Sequence, residues 1–295
     1  MLWNGTSTDA MMLMTEDERV QISSYIEDTF GIKMSEAKKP LLTGRLSKRL
    51  RILKINSYGE YFNYIHSVEG RNEFRIFTDL VSTHETHFFR ENGHFEFLST
   101  TGLPALVNRG SGIDVPLNIM SAACSTGEEV YSAACTIEEF ATVNSYRNFR
   151  YRITGTDLSS NVINTAAQGI YETDDINRVP VKYRKYFMKS RNSSKKLIRV
   201  IPEIRTRARF IEMNLLDDNF TFDCIFDIIF CRNVMIYFSK DNQRKVVEHL
   251  CRFLNPGGYL LVGHSENLLG LDLPIKLINT ATYVKTSQAG ESHAN

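Results

Sequence analysis

Four short apolar runs, each ending on small or polar residues, most constrain the later two-thirds of this chain. They are LNIMSAACSTGEE (117–129), YRITGTDLSS (151–160), FDIIFCRNVMIYF (226–238) and LNPGGYLLVGHSE (254–266). Runs of that length with helical patterns between them specify strands buried on both faces and joined by crossover helices, which is a mostly parallel α/β sheet. The first third obeys a different grammar. TEDERVQISSYIEDTFGI opens on a Thr15 cap followed by acids, and places Val20, Ile22, Tyr25, Ile26 and Phe30 at helical spacing. TGRLSKRLRILKI puts Leu46, Leu50 and Leu53 on one face and Arg45, Lys48, Arg49, Arg51 and Lys54 over the rest. YGEYFNYIHSV and RNEFRIFTDLVST complete a small bundle.

A chain of 295 residues exceeds the usual one-domain size of about 100–200 residues. The expected division is a flexible tail over 1–14, a helical domain over 15–88, and a linker with a connecting helix over 89–115. The α/β domain then runs over 116–295. TGLPALVNRGSGIDVP, rich in Gly and Pro, reads as the loop between them. Within the α/β part, the stretch from about 171 to 209 is basic and broken. A turn at SRNSSKK beside alternating LIRVI suggests a small inserted β-subdomain.

The formal net charge of +1 gives no overall attraction to nucleic acid or a membrane surface. No stretch approaches the roughly 18 apolar residues of a spanning helix, and the N-terminus lacks the features of a signal peptide. Five cysteines without a C-x-x-C pair fit reduced core thiols, so a cytoplasmic protein is expected.

In an open α/β sheet, ligands bind beyond the carboxyl ends of the strands. Those ends read AACSTGEE, GTDLS, MNLLD, CRNVMIY and GHSEN. The first has one glycine where a dinucleotide fingerprint has three, and Glu128 and Glu129 opening a helix oppose a phosphate. Asp157 at the second end can accept hydrogen bonds from a ribose diol. Singly, each residue has a plainer reading. The glutamates suit a helix N-terminus, Asp157 suits a cap before LSSNV, and Asn214 and Asn233 suit loop backbone. Jointly, at successive strand ends, they point to S-adenosylmethionine.

THETHFFRE, SAACSTGEEVYS, FDIIFCRNVMIYF and PGGYLLVGHSEN, in that order, resemble the CheR family of chemotaxis receptor glutamate methyltransferases. The resemblance spans roughly residues 18–285. It implies an N-terminal all-helical domain joined to a Rossmann-like class I methyltransferase domain that carries a small inserted antiparallel β-subdomain. It implies transfer of a methyl group from S-adenosylmethionine to glutamate carboxylates of chemoreceptors, leaving S-adenosylhomocysteine. By motif position, His84, Thr86, Arg90, Glu129, Asp157, Asn214, Leu215, Asn233 and Val234 would contact the cofactor, with Arg90 and Tyr237 acting in catalysis. His84 stands where the family usually has asparagine. Arg45, Lys48, Arg49 and Arg51 would dock the receptor's cytoplasmic domain. In some relatives the β-subdomain tethers a receptor C-terminal peptide. The implied protein is a cytoplasmic monomer recruited to receptor arrays, without nucleic acid or membrane insertion.

The H-E-T-H run at 84–87 spaces its histidines three apart, not the four of the zincin H-E-x-x-H, and no metal is expected there, although His94 lies close. Rival readings are a methyltransferase acting on RNA or a small molecule, for which the basic 182–209 stretch would track phosphates, and a non-catalytic receptor-binding scaffold.

Overall fold

The computed structural model describes residues 13–34, 39–192 and 194–286. The tail expected over 1–14 lies outside the described residues except for Leu13 and Met14. Contacts divide the chain into two compact units, one ending at Thr83 and the other starting at His84.

The first unit holds α1 (Glu16–Phe30), α2 (Lys39–Leu53), α3 (Tyr58–Ile65) and α4 (Arg71–Val81). A capping box starts α1: the Thr15 hydroxyl accepts from the Glu18 amide while the Glu18 carboxylate accepts from the Thr15 amide. Gly31, at φ 73°, ends it in the left-handed conformation that glycine tolerates best. Four-residue spacing selects the core stripe of α2 as Leu42, Leu46 and Leu50, so Leu53 is only half-buried. Two of the basic residues of α2 turn inward. Arg45 donates to the carbonyls of Leu80 and Ser82 at the end of α4 (2.8 and 3.0 Å), where a cation complements the helix dipole. Arg49 forms a two-pronged pair with Glu73 (2.7 and 2.6 Å), whose other bond comes from the buried Tyr61 hydroxyl (2.9 Å). Glu73 is 4% exposed.

The second unit opens with α5 (Gly93–Phe97), a π-helical turn (Leu98–Gly102) and α6 (Leu103–Val107). The stretch expected as a loop is therefore partly helical: Leu103 and Leu106 are buried, and Pro104 sits in the first turn, where its missing N–H costs nothing. Then follow β1 (Leu117–Ala122), α7 (Glu128–Val143), β2 (Tyr151–Asp157), α8 (Ser160–Gln168) and β3 (Ile170–Glu172). Next come β4 (Phe187–Lys189), β5 (Leu197–Val200), α9 (Pro202–Arg205), β6 (Ala208–Glu212) and β7 (Phe226–Cys231). The chain closes with α10 (Lys240–Arg252), β8 (Leu254–Val262), β9 (Ile275–Asn279) and β10 (Thr282–Lys285).

Seven strands form one sheet in the order β6-β2-β1-β7-β8-β10-β9. The first five of that order run parallel, and β10 is antiparallel to both its neighbours. From β1 the chain winds outward through β2 to β6, then returns to β7 on the other side of β1, which makes the topological switch point there. β3, β5 and β4 form a separate antiparallel sheet, the inserted β-subdomain. The expected α/β fold with its helical partner and β insertion is present. Among the described residues, no helix is long and apolar enough to cross a membrane. All five cysteines are free thiols; four are buried as expected, while Cys224 is half-exposed.

Arg49→Met removes the cation that compensates Glu73 in the first unit. Leaving a buried carboxylate unpaired costs about 3–5 kcal/mol. We expect the unfolding free energy of the unit, from urea titration followed by circular dichroism, to fall by an amount of that order; a loss under about 1 kcal/mol would contradict the role assigned to the pair.

Candidate active site at the carboxyl edge of the sheet

Strand register alone assembles this edge. Ala122 pairs with Thr156 on one side and Cys231 on the other, Asp157 with Glu212, and Cys231 with Val262. The turns that leave β1, β2, β6, β7 and β8 therefore emerge side by side. Among the described residues, eight non-glycine positions have left-handed φ, and five of them, Phe89, Glu91, Ala123, Ser125 and Asn233, belong to this edge or the segment packed on it. Each such residue costs on the order of 1–3 kcal/mol and persists only where its surroundings hold it.

One guanidinium does much of that holding. Arg232, just past β7, has a side chain 1% exposed. It donates to the Glu129 carboxylate (2.9 Å), the Glu91 carboxylate (2.8 Å) and the Arg90 carbonyl (2.5 Å). It thereby ties the 84–91 segment, the start of α7 and the end of β7 into one cluster. Glu129 also accepts from the Ser121 hydroxyl (2.7 Å), and Glu91 accepts from the Asn233 side chain (3.1 Å) and the His264 amide (3.3 Å). Burial pushes Glu91 up, but the bonds from Arg232 and Asn233 outweigh it and hold the carboxyl at about 2. For Glu129 burial wins and the pKa rises, despite Arg232 and Ser121. Ser132 adds a second tie: its hydroxyl donates to the Glu128 carbonyl and accepts from the Phe89 amide (2.9 Å).

Asp157 ends β2 and is 7% exposed. One oxygen accepts from the Ser125 amide (2.8 Å), the other from the Ser159 amide (3.1 Å). Burial raises its pKa, while those two amides and the neighbouring His84 ring favour the charged form. The cap expected before LSSNV is Ser159, whose hydroxyl accepts from the Val162 amide, so Asp157 is not the helix cap. Gly127 is required where the turn meets α8: its φ is 92°, and a Cβ there would lie 2.8 Å from that of Ala166.

The other sequence-derived residues fall as follows. The His84 carbonyl accepts from the Ser125 hydroxyl (3.1 Å), and its Nε2 is buried without a hydrogen-bond partner. Thr86 and Arg90 are half-buried, and Arg90 donates from Nη1 to the Glu85 carbonyl (2.8 Å). Asn214 accepts from the Leu216 amide (3.1 Å) beside buried Leu215. Asn233, Val234 and Tyr237 lie in the turn after β7, all half-buried. Sequence reasoning missed what shapes that turn. The buried Glu266 carboxylate accepts from the amides of Gly263, Asn233, Met235 and Ile236 (2.6, 2.9, 2.7 and 3.3 Å). Its signal was an acid inside GHSEN, and that of Arg232 a cation inside FCRNV, each next to residues already singled out. The helix α2 residues sit in the other unit: Lys48 and Arg51 are exposed, while Arg45 and Arg49 are the inward-turned pair described above.

Residues 84–284 match the family described as CheR methyltransferase, SAM binding domain, and residues 17–82 match its all-alpha domain. This chain belongs to the CheR methyltransferase family. Its relatives include a chemotaxis protein methyltransferase of Borreliella burgdorferi, 35% identical over 92% of this chain and 95% of that protein. The Pseudomonas aeruginosa chemotaxis protein methyltransferase 2 is 33% identical over 91% and 93% of the two chains. The Escherichia coli chemotaxis protein methyltransferase is 34% identical over 89% and 88%. The protein is thus an S-adenosylmethionine-dependent methyltransferase.

The residues present fit that cofactor. Asp157 accepts from the Ser125, Ser159 and Leu158 amides, and a carboxylate has about four lone-pair sites, so capacity for a ribose hydroxyl remains. His84, whose ring neighbours Asp157, has its Nε2 buried without a hydrogen-bond partner.

The pH dependence follows from Glu91. A carboxyl held below its ordinary 4.5 stabilises the fold above about pH 4.5, and that contribution disappears as pH falls toward 2. Melting temperatures measured from pH 5 to pH 2 should fall more steeply for the wild type than for Glu91→Gln. Parallel curves would contradict the assignment.

Proposed function

We propose that this chain transfers a methyl group to glutamate side-chain carboxylates of chemoreceptors. The observation that carries the reading is Asp157, a buried strand-end carboxylate with unused acceptor capacity, in a chain whose two units each match a CheR domain. When bound, S-adenosylmethionine supplies an electrophilic methyl carbon on a sulfonium. Asp157 would accept from a ribose hydroxyl, and His84, Thr86, Glu129, Asn214, Leu215, Asn233 and Val234 would line the rest. The attacking glutamate is ionised near neutral pH, since its reference pKa is about 4.3. It therefore needs no general base, and the protein's work is positioning, which contributes roughly 7–11 kcal/mol in favourable cases.

Arg90 is suited to orient a carboxylate. Its bond to Glu85 uses part of a guanidinium with five N–H donors. Tyr237 aligns the reacting group through its hydroxyl, on a turn whose backbone Glu266 holds at Met235 and Ile236. That rigidity serves an in-line displacement, where small misplacement is costly.

Receptor docking by α2 falls to Lys48 and Arg51, with the exposed side chains of Leu41 and Ile52 beside them. Arg45 and Arg49 hold the bundle that presents them. Complementary charge aids encounter with an acidic receptor helix and weakens with salt. β3 and β4 are the edges of the inserted sheet and suit addition of a receptor C-terminal peptide as an extra strand. A monomer recruited to receptor arrays completes the reading. The RNA and small-molecule alternatives have no comparable support.

With methyl-labelled S-adenosylmethionine and receptor-bearing membranes, protein-bound label should be released as methanol by mild alkali. Base-stable label would contradict a carboxyl ester. Arg90→Ala should lower the methyl-transfer rate at least tenfold, and an unchanged rate would remove its role. Lys48→Glu with Arg51→Glu should slow receptor methylation several-fold at low salt while leaving cofactor affinity intact. Equal rates would count against docking by this face.

A further inference from the structure

Two imidazoles and a carboxylate converge at one corner of the second unit, and the proposed chemistry uses neither ring. Glu91 follows Arg90, His94 lies on α5, and His264 leaves β8. One ligand atom from each lies within 4.8 Å of the others. His94 is the unusual member. It is 2% exposed, and neither ring nitrogen lies within hydrogen-bond distance of a partner, although Nδ1 stands 3.7 Å from a Glu91 oxygen and the Thr280 backbone is a further polar neighbour. Its ring meets His264 edge-on, with centroids 5.2 Å apart. Buried polar atoms are normally bonded, and an orphan calls for a partner that protein atoms do not provide.

We propose that Glu91, His94 and His264 form a binding site for a divalent transition metal of the zinc class. Two imidazole nitrogens and one carboxylate oxygen are borderline ligands that suit Zn²⁺, Co²⁺ or Ni²⁺, whereas Mg²⁺ and Ca²⁺ prefer all-oxygen shells. With bonds of about 2.0–2.1 Å, tetrahedral donors stand roughly 3.4 Å apart, so the present cluster must contract. His264 is exposed and can rotate inward, while His94 is fixed by burial. The Glu91 oxygen that accepts from Arg232 keeps a second lone pair for the metal. The H-E-T-H histidines take no part: the converging ligand atoms are those of Glu91, His94 and His264, and His87 Nδ1 lies 3.1 Å from the Phe88 carbonyl. Because the metal would share Glu91 with Arg232, its binding is coupled to the cluster that ties down the 84–91 segment.

The test uses the full chain, stripped with a chelator and titrated calorimetrically with Zn²⁺. Cys224→Ser serves as the background, to remove the half-exposed thiol as a competing ligand. One Zn²⁺ per chain is expected, with affinity at least tenfold weaker in His264→Ala and no saturable binding of Mg²⁺. His264 is exposed, so the variant should fold, and an unchanged melting temperature in chelator checks this. Co²⁺ in place of Zn²⁺ should give the visible absorption of a four-coordinate ion, lost in His264→Ala. No saturable Zn²⁺ binding, or equal affinity in wild type and His264→Ala, overturns the site.

Discussion

The Arg232 guanidinium is the interaction on which the site depends. A single buried cation reaches two carboxylates and a backbone carbonyl in two distant parts of the chain, Arg90 with Glu91 and, separately, Glu129. A buried ion pair gains little net stability by itself, because desolvation offsets most of the attraction. What it provides is geometry. The planar fork admits few arrangements of Glu91, Glu129 and Arg90, and a lysine could not hold all three in the same way. Left-handed backbone at Phe89, Glu91 and Asn233 is tolerable where such bonds fix both ends of the turn.

Glu266 plays the corresponding part for backbone. Four amides aimed at one carboxylate define the path of the chain after β7 and after β8. Tyr237 and Val234 ride on that path, so their positions are set by a residue that need not touch substrate. Division of labour of this kind suits a displacement reaction between two bound groups. There, the protein's contribution is alignment, and proton transfer has no part.

Much of this was legible in the sequence because the relevant interactions are local. Apolar runs ending in polar residues located the strand ends, and parallel register then placed Asp157, Asn214 and Asn233 along one edge. Helical spacing gave α1 and its cap to within a residue. The parts that escaped depend on partners distant in sequence. Arg232 lies 141 residues from Glu91 and 103 from Glu129, and nothing in either local string announces the pair. Arg49 and Glu73 are 24 residues apart, so a helix rich in Lys and Arg read as one uniform basic surface, although two of its cations point inward. The Gly/Pro-rich stretch before β1 read as loop because its two buried leucines were outweighed by its turn residues.

The most direct test of this account is the affinity of Arg232→Lys for S-adenosylmethionine, measured by calorimetry beside the wild type. The substitution keeps the charge and removes the fork. If Arg232 organises the cofactor edge through its geometry, affinity should weaken at least tenfold while circular dichroism and the urea unfolding of the helical unit remain unchanged. Wild-type affinity in the lysine variant would contradict the central claim, and would mean that the edge holds its shape without the three-way bridge.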